Sequence, residues 1–232
     1  MSAVPADVCA SQGEAIRACI GAIDAYLAHL DGPGIGAVRD GIAKWSSGEF
    51  LTCPPHRPTP VSHVATAVEQ LAGSGERELA NAISAATPHL HWATYDLYKR
   101  DNIGAAFADG HAFVSLIGEE AHIYAVGFDL GLFVIAPHIF YRDHRHAAAE
   151  LYAPLTGPHD WRFAPEAALH SKPAHAPVWN EPFQPHALRV GAVPFLCIFC
   201  WIGDVQQPAY IVPSNDWNML EVAGVESTAG SA

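Results

Sequence analysis

The feature that most constrains this chain is a change of periodicity near its middle. Ile16, Cys19, Ile20, Ile23, Leu27 and Leu30 recur at helical spacing, so residues 11–30 are expected to form an amphipathic helix that stops at Asp31-Gly32-Pro33-Gly34. Val64, Ala67, Val68 and Leu71 repeat that spacing up to Gly73-Ser74-Gly75, and Leu79 and Ile83 carry it on to about Ala86. The Pro-rich stretch from Cys53 to Pro60 reads as an extended connector. From Phe113 onward the texture becomes short apolar or aromatic runs (Ala121 to Val126, Leu130 to Ala136, Val193 to Ile202) separated by Gly and Pro, the pattern of an all-β barrel or sandwich. The expected organisation is a helical N-terminal extension over 1–105, a β-barrel over 106–220 and a disordered Gly/Ser/Ala tail over 221–232. A helical apolar stripe needs a partner surface, so Ile16, Ile20, Ile23 and Leu27 should be buried against other protein.

Charge excludes some partners. With 12 basic residues against 24 acidic ones, a net charge of -12 offers no footprint for nucleic acid or an anionic membrane surface. Met1 to Ser11 lacks the basic and apolar regions of a secretory signal, and no segment stays apolar for about 20 residues, so the cytoplasm is the expected location. The cysteines (Cys9, Cys19, Cys53, Cys197, Cys200) are odd in number and scattered, which fits a reducing compartment. Cys197-Ile-Phe-Cys200 has a redox or zinc spacing, but a strand there would point the two sulfurs to opposite faces.

Histidine is abundant, with 14 in 232 residues, so a His-x-His pair alone says little. His89-Leu90-His91 has no carboxylate at a matching offset and reads as a surface or packing pair. His144-Arg145-His146-Ala147-Ala148-Ala149-Glu150 differs, because alternate strand residues share a face and a short turn then brings a carboxylate to the same point. Tyr152 projects to the same side as Glu150, and Gly157 follows where the hairpin must turn. His186, just before the most apolar strand, is the candidate fourth ligand. Imidazoles with one carboxylate suit one divalent transition metal ion (Fe, Mn, Zn, Ni or Co) and leave positions open for a substrate oxygen.

His144-x-His146-x3-Glu150-x6-Gly157 resembles the first cupin motif, and His186 stands where the second motif places its histidine. That resemblance implies a double-stranded β-helix barrel with metal at its mouth. More narrowly, the segment from Tyr141 to Tyr152 is similar to the metal-site segment of the cupin-type dimethylsulfoniopropionate lyases. Pro185-His186-Ala187-Leu188-Arg189 and Cys200-Trp201-Ile202-Gly203-Asp204 extend the likeness, which covers roughly 110–212. Leu188 and Val190 depart from the usual Met and Thr, as does Gly157-Pro158-His159, which bears on the substrate and not on the metal.

The resemblance implies a mainly β cupin with N-terminal helices that cleaves dimethylsulfoniopropionate to dimethyl sulfide and acrylate by β-elimination. His144, His146, Glu150 and His186 would then be metal ligands, Tyr152 the base, and Tyr141 a second catalytic or substrate-binding tyrosine. Trp179 is expected to line the side of the sulfonium, along with Trp161, Tyr141 or Phe140, and Arg189 to orient a carboxylate. Fold does not fix chemistry, so a cupin isomerase, hydratase or dioxygenase acting on another small carboxylate or sugar acid is the alternative. A metal-dependent sensory module is a third reading, against which the helices offer no basic recognition helix. The sequence is compatible with a homodimer.

Overall fold

The computed structural model describes residues 6–222, with side chains from Ser11 onward. The tail expected over 221–232 therefore lies outside the described residues, apart from Glu221 and Val222, which are helical instead of disordered, with Glu221 paired to Arg142 at 2.6 Å. The helices are α1 (Ala6–Leu27), α2 (Ile35–Trp45), α3 (His63–Gly73), α4 (Arg77–Ala86), α5 (Arg100–Ile103) and α6 (Ala105–Gly110). The strands are β1 (His111–Gly118), β2 (Ile123–Tyr124), β3 (Phe128–Ile135), β4 (Phe140–Arg145), β5 (Ala149–Pro154), β6 (His159–Arg162), β7 (His170–Lys172), β8 (Val178–Asn180), β9 (His186–Arg189), β10 (Phe195–Ile202) and β11 (Tyr210–Ile211).

The expected helical stripe is realised: Ile16, Ile20, Ile23 and Leu27 are each buried in one core with α3, α4 and a sheet face. Helix α2 lies in a stretch whose sequence gave no helical expectation. Its stripe of Ile35, Val38 and Ile42 is thin because glycine takes several neighbouring positions. Gly41 is one place where glycine is required, since a Cβ there would meet the Phe128 ring at 2.1 Å. No helix among the described residues is long and apolar enough to cross a membrane.

The strands form a six-stranded sheet, ordered β2-β1-β3-β10-β5-β8, and a five-stranded sheet, ordered β11-β4-β9-β6-β7. Between β3 and β6, and again from β7 to β11, the chain passes back and forth between them, the winding expected of a cupin-type double-stranded β-helix. The sheets face each other, yet among the described residues no ladder joins them into the closed barrel that the sequence suggested. The edge strands β2, β8, β11 and β7 are only 2 to 3 residues long, too short to carry pairing across the gap.

Alternation divides the six-stranded sheet cleanly. Leu130, Leu132, Val134, Leu151, Ala153, Leu196, Ile198 and Cys200 join the core shared with the helices. Phe133, Ile135, Tyr152, Cys197 and Phe199 face the other sheet. Cys197 and Cys200 are thus buried on opposite faces of β10, and both are free thiols.

The five-stranded sheet is backed by the segment that follows β11. Arg162, fully buried, donates to both oxygens of Asp143 and to Asp216, while Trp217 Nε1 donates to Asp143 at 2.7 Å. These bonds neutralise a carboxylate that would otherwise be buried unpaired directly beside His144.

Exchanging glycine for alanine inside a helix ordinarily stabilises by about 0.5–1 kcal/mol. Gly41→Ala should do the opposite, lowering the urea midpoint with a net loss of about 1–3 kcal/mol, because the new methyl overlaps the Phe128 ring. A raised midpoint would show that α2 and β3 are not packed as described.

Candidate metal centre

Three elements bring the histidines together. The register of β4 and β9 sets His144 directly opposite His186, with the rings 4.1 Å apart. That register shifts between Tyr141 and His144, a bulge that turns both inward although they are three residues apart. Their rings consequently stack at 4.0 Å. His146 sits in the turn after β4, and Glu150 is the second residue of β5. All four side chains are buried.

Each imidazole is oriented by its own neighbourhood. Nδ1 of His144 lies 2.8 Å from the Arg142 carbonyl, Nδ1 of His146 lies 2.8 Å from the Ala148 carbonyl, and Nδ1 of His186 lies 3.0 Å from the Gln184 carbonyl. A carbonyl only accepts, so each Nδ1 carries the proton and each Nε2 presents a lone pair. Glu150 is held just as firmly: Trp201 Nε1 donates to Oε1 at 2.7 Å, and Asn180 Nδ2 lies 3.3 Å from Oε2.

These groups fit a divalent cation. The ligand atoms of His144, His146 and His186 lie within 4.8 Å of one another. Glu150 Oε2 is 2.9 Å from His146 Nε2 and 3.3 Å from His186 Nε2, and the latter nitrogen is buried without a hydrogen-bond partner. Lone pairs converging on a carboxylate repel unless a proton or a cation lies among them.

The titration shifts point the same way. Burial, and then the neighbouring His186, pushes the His144 imidazole well below its usual value. Burial alone would lower His146 and raise Glu150. Their mutual attraction outweighs this, raising the imidazole and holding the carboxyl well below the usual carboxylate range. Tyr141 and Tyr152 are both pushed well above 10, chiefly by burial and further by Glu150.

Beside Glu150 opens a cavity of about 90 Å³ between the sheets. Glu150, Tyr152, Phe199 and Trp201 form one side, and Tyr95, Phe113, Asp129 and Phe133 complete it. Its size lies far below the roughly 300–1,000 Å³ of drug-sized sites, so it suits a small ligand. Gly131 makes room for one wall, since a Cβ there would meet the Phe199 ring at 2.6 Å.

The residues singled out in the sequence are not all at this cavity. His144, His146 and His186 converge, Glu150 touches the last two of them, and Tyr152 lines the space beside Glu150. Tyr141 stands one layer back, stacked at 4.0 Å on Phe107 and hydrogen-bonded to Tyr95. Trp179 lies elsewhere: its ring packs against Gly34 on the helical side and its Nε1 donates to Glu181. Arg189 also lies elsewhere, because β9 turns His186 and Leu188 inward and leaves Arg189 to pair with Asp160 at 2.7 Å. Trp161 is packed 5.4 Å from Tyr152 in the core between the sheets, and Phe140 lies under the Arg162 guanidinium. His89 and His91 stay apart from the centre, with His91 bonded to the Pro54 carbonyl. Sequence reasoning missed Tyr95, Asp129, Asn180 and the grip of Trp201 on Glu150. Only Trp201 had a signal, in its place beside Gly203-Asp204.

Residues 51–197 match the profile of the dimethylsulfoniopropionate lyase family. The dimethylsulfoniopropionate lyase DddQ of Ruegeria pomeroyi is 27% identical over 109 residues, which make up 47% of this chain and 54% of that protein. The chain thus aligns with about half the length of this curated relative. A chain from the crystal structures of the DMSP lyases RdDddP and RnDddQII superposes with a TM-score of 0.71 at 20% identity, covering 88% of this chain and all of that one. The crystal structure of DddQ from Ruegeria pomeroyi gives 0.67 at 20% identity over 86% of this chain and 96% of its own. At such identities these two structures show a shared fold.

Elemental analysis of the purified protein should find about one first-row divalent ion per chain. His186→Ala should remove most of it. Trp201→Phe keeps the ring but frees Glu150 Oε1, and should weaken metal affinity by about 10- to 100-fold with the fold intact. Affinity should also fall between pH 8 and about pH 6, since a proton competes for the His146 imidazole, which Glu150 raises above its usual value. Full metal content in His186→Ala would move the fourth ligand to another residue.

Proposed function

The chain belongs to the dimethylsulfoniopropionate lyase family, and from that premise we propose that it cleaves dimethylsulfoniopropionate to dimethyl sulfide and acrylate by β-elimination. The supporting observation is that Glu150 of the histidine centre and Tyr152 share one wall of a small cavity whose other walls are largely aromatic. The lining includes no Arg or Lys, so the substrate's carboxylate faces the histidine centre. His144, His146, Glu150 and His186 would hold a divalent ion, which when bound would supply a Lewis acid at that end and offset the Glu150 charge beside Tyr152.

Tyr152 would act as its phenolate, the form a neighbouring cation favours, and its Oη then takes the proton from the carbon next to the carboxylate. The C–H electron pair becomes the new C=C bond, the C–S bond breaks, and its pair leaves on sulfur as neutral dimethyl sulfide. In the chain alone, burial and Glu150 keep the proton on Tyr152. The aromatic walls present π-faces to the sulfonium. Tyr141 reaches the cavity through Tyr95, to which it is hydrogen-bonded, and acts as a positioning residue. Free thiols at Cys19, Cys53, Cys197 and Cys200 support a reducing, cytoplasmic setting.

Purified protein loaded separately with Fe, Mn, Zn, Ni or Co should release dimethyl sulfide into the headspace when given dimethylsulfoniopropionate. Tyr152→Phe should keep fold and metal content while kcat drops by about 10²- to 10⁴-fold. A raised KM with kcat nearly unchanged would end the assignment of Tyr152 as the base. Tyr141→Phe is the paired control, expected to lose less. No dimethyl sulfide under any metal would shift the chain to another reaction on a small carboxylate.

A further inference from the structure

We propose that Asp129 is the anion that selects the positively charged end of the substrate, making this cavity specific for a carboxylic acid that carries an onium group. The proposal rests on the reading of the cavity as a substrate site and adds a residue to which no role has been given.

Asp129 lines the cavity, and its Oδ1 is sequestered from solvent without a hydrogen-bond partner. The Ser115 hydroxyl hydrogen-bonds the carboxyl group, but among the described residues no Lys, Arg or His forms an ion pair with it. The contrast with Asp143 is direct, because that buried carboxylate receives Arg162 and Trp217. Asp129 is half-buried, with Oδ1 the sequestered atom. A partly desolvated carboxylate without a cation carries a cost, and a fold that retains one beside a cavity leaves room for a cation from outside. Burial raises its pKa to about 6, so the group is ionised at neutral pH.

The register of the six-stranded sheet gives the cavity two poles. Asp129 on β3 pairs with Trp201 on β10, which pairs in turn with Glu150 on β5. Two strand spacings separate the Asp129 and Glu150 backbones, roughly 10 Å at about 4.8 Å per strand. An acid whose carboxylate and onium are joined by two methylenes is short enough to lie between these poles, with its carboxylate at the histidine centre and its onium towards Asp129. Between the poles stand aromatic rings: Trp201 in the same row, Phe199 in the next, and Phe113 edge-on to Phe199 at 6.5 Å. A cation thus meets π-faces and a carboxylate together, an environment that a neutral group of the same shape gains little from.

A charge held in the ground state and lost as the leaving group departs should affect binding more than turnover. The test uses two inert acids of nearly identical shape, 3-(trimethylammonio)propanoate and 4,4-dimethylpentanoate, which differ in charge. Calorimetry on metal-loaded wild-type protein should show the cationic acid binding at least about tenfold more tightly. Asp129→Asn, which keeps the shape and removes the charge, should erase most of that preference while leaving metal content and the neutral acid's affinity within about threefold. With dimethylsulfoniopropionate, the variant should raise KM by about tenfold or more with kcat within about threefold.

Equal affinity of the wild type for the two acids would overturn the proposal whether or not the variant folds. A preference that persists in Asp129→Asn, or an equal loss for both acids, would also overturn it. The binding arms need no turnover. A protein that fails to cleave dimethylsulfoniopropionate yet keeps the Asp129-dependent preference would contradict the proposed reaction and leave cation selection standing.

Discussion

Everything at the centre depends on three short hydrogen bonds from imidazole Nδ1 to backbone carbonyls. Each acceptor is two residues away in sequence, so the orientation of His144, His146 and His186 is decided by the local backbone of β4, the following turn and β9. Once the Nδ1 protons are committed, the Nε2 lone pairs are the free ligand atoms of all three rings, and those of His146 and His186 lie against Glu150. Glu150 in turn cannot swing away, because Trp201 and Asn180 hold its two oxygens. The donor set is therefore preorganised in the chain itself.

That preorganisation needs a rigid platform. The six-stranded sheet gains it by being covered twice, by helices α1 to α4 on one face and by the second sheet on the other. A polar tie supplements the apolar one: His175, from the loop after β7, bridges the Tyr26 hydroxyl of α1 and Ser74 at the end of α3. The N-terminal helices thus act on the site at a distance, by fixing the strands that carry Glu150 and Tyr152.

The parts legible in the sequence were those encoded locally. Stripes in α1, α3 and α4 announced themselves at helical spacing, and the spacing of His144, His146 and Glu150 foretold a cluster because β4, the following turn and the start of β5 contain all three. Helix α2 escaped because Gly34, Gly36 and Gly41 dilute its stripe, and two of those glycines are there to admit the rings of Trp179 and Phe128. The same contact explains why Trp179 is absent from the cavity. Arg189 was misplaced by one step of alternation, since the histidine beside which it was read points the other way. Tyr95 and Asp129 carried no signal at all. Asp129 meets Tyr152 only through the order of strands in the sheet, and Tyr95 arrives from the irregular segment before α5; adjacent sequence encodes neither.

The two-faced alternation of β10 has a consequence for how such a chain can drift. Phe199 and Trp201 wall the cavity, while Ile198 and Cys200 pack towards the helices. Inserting or deleting one residue in this strand would exchange the two sets at once, presenting the thiol of Cys200 to the ligand and burying an indole under the helices. Point substitutions on β10 can alter the site or the core separately, but a length change alters both. The strand is frame-sensitive, and the length changes that divergence introduces should collect instead in the connections at its ends.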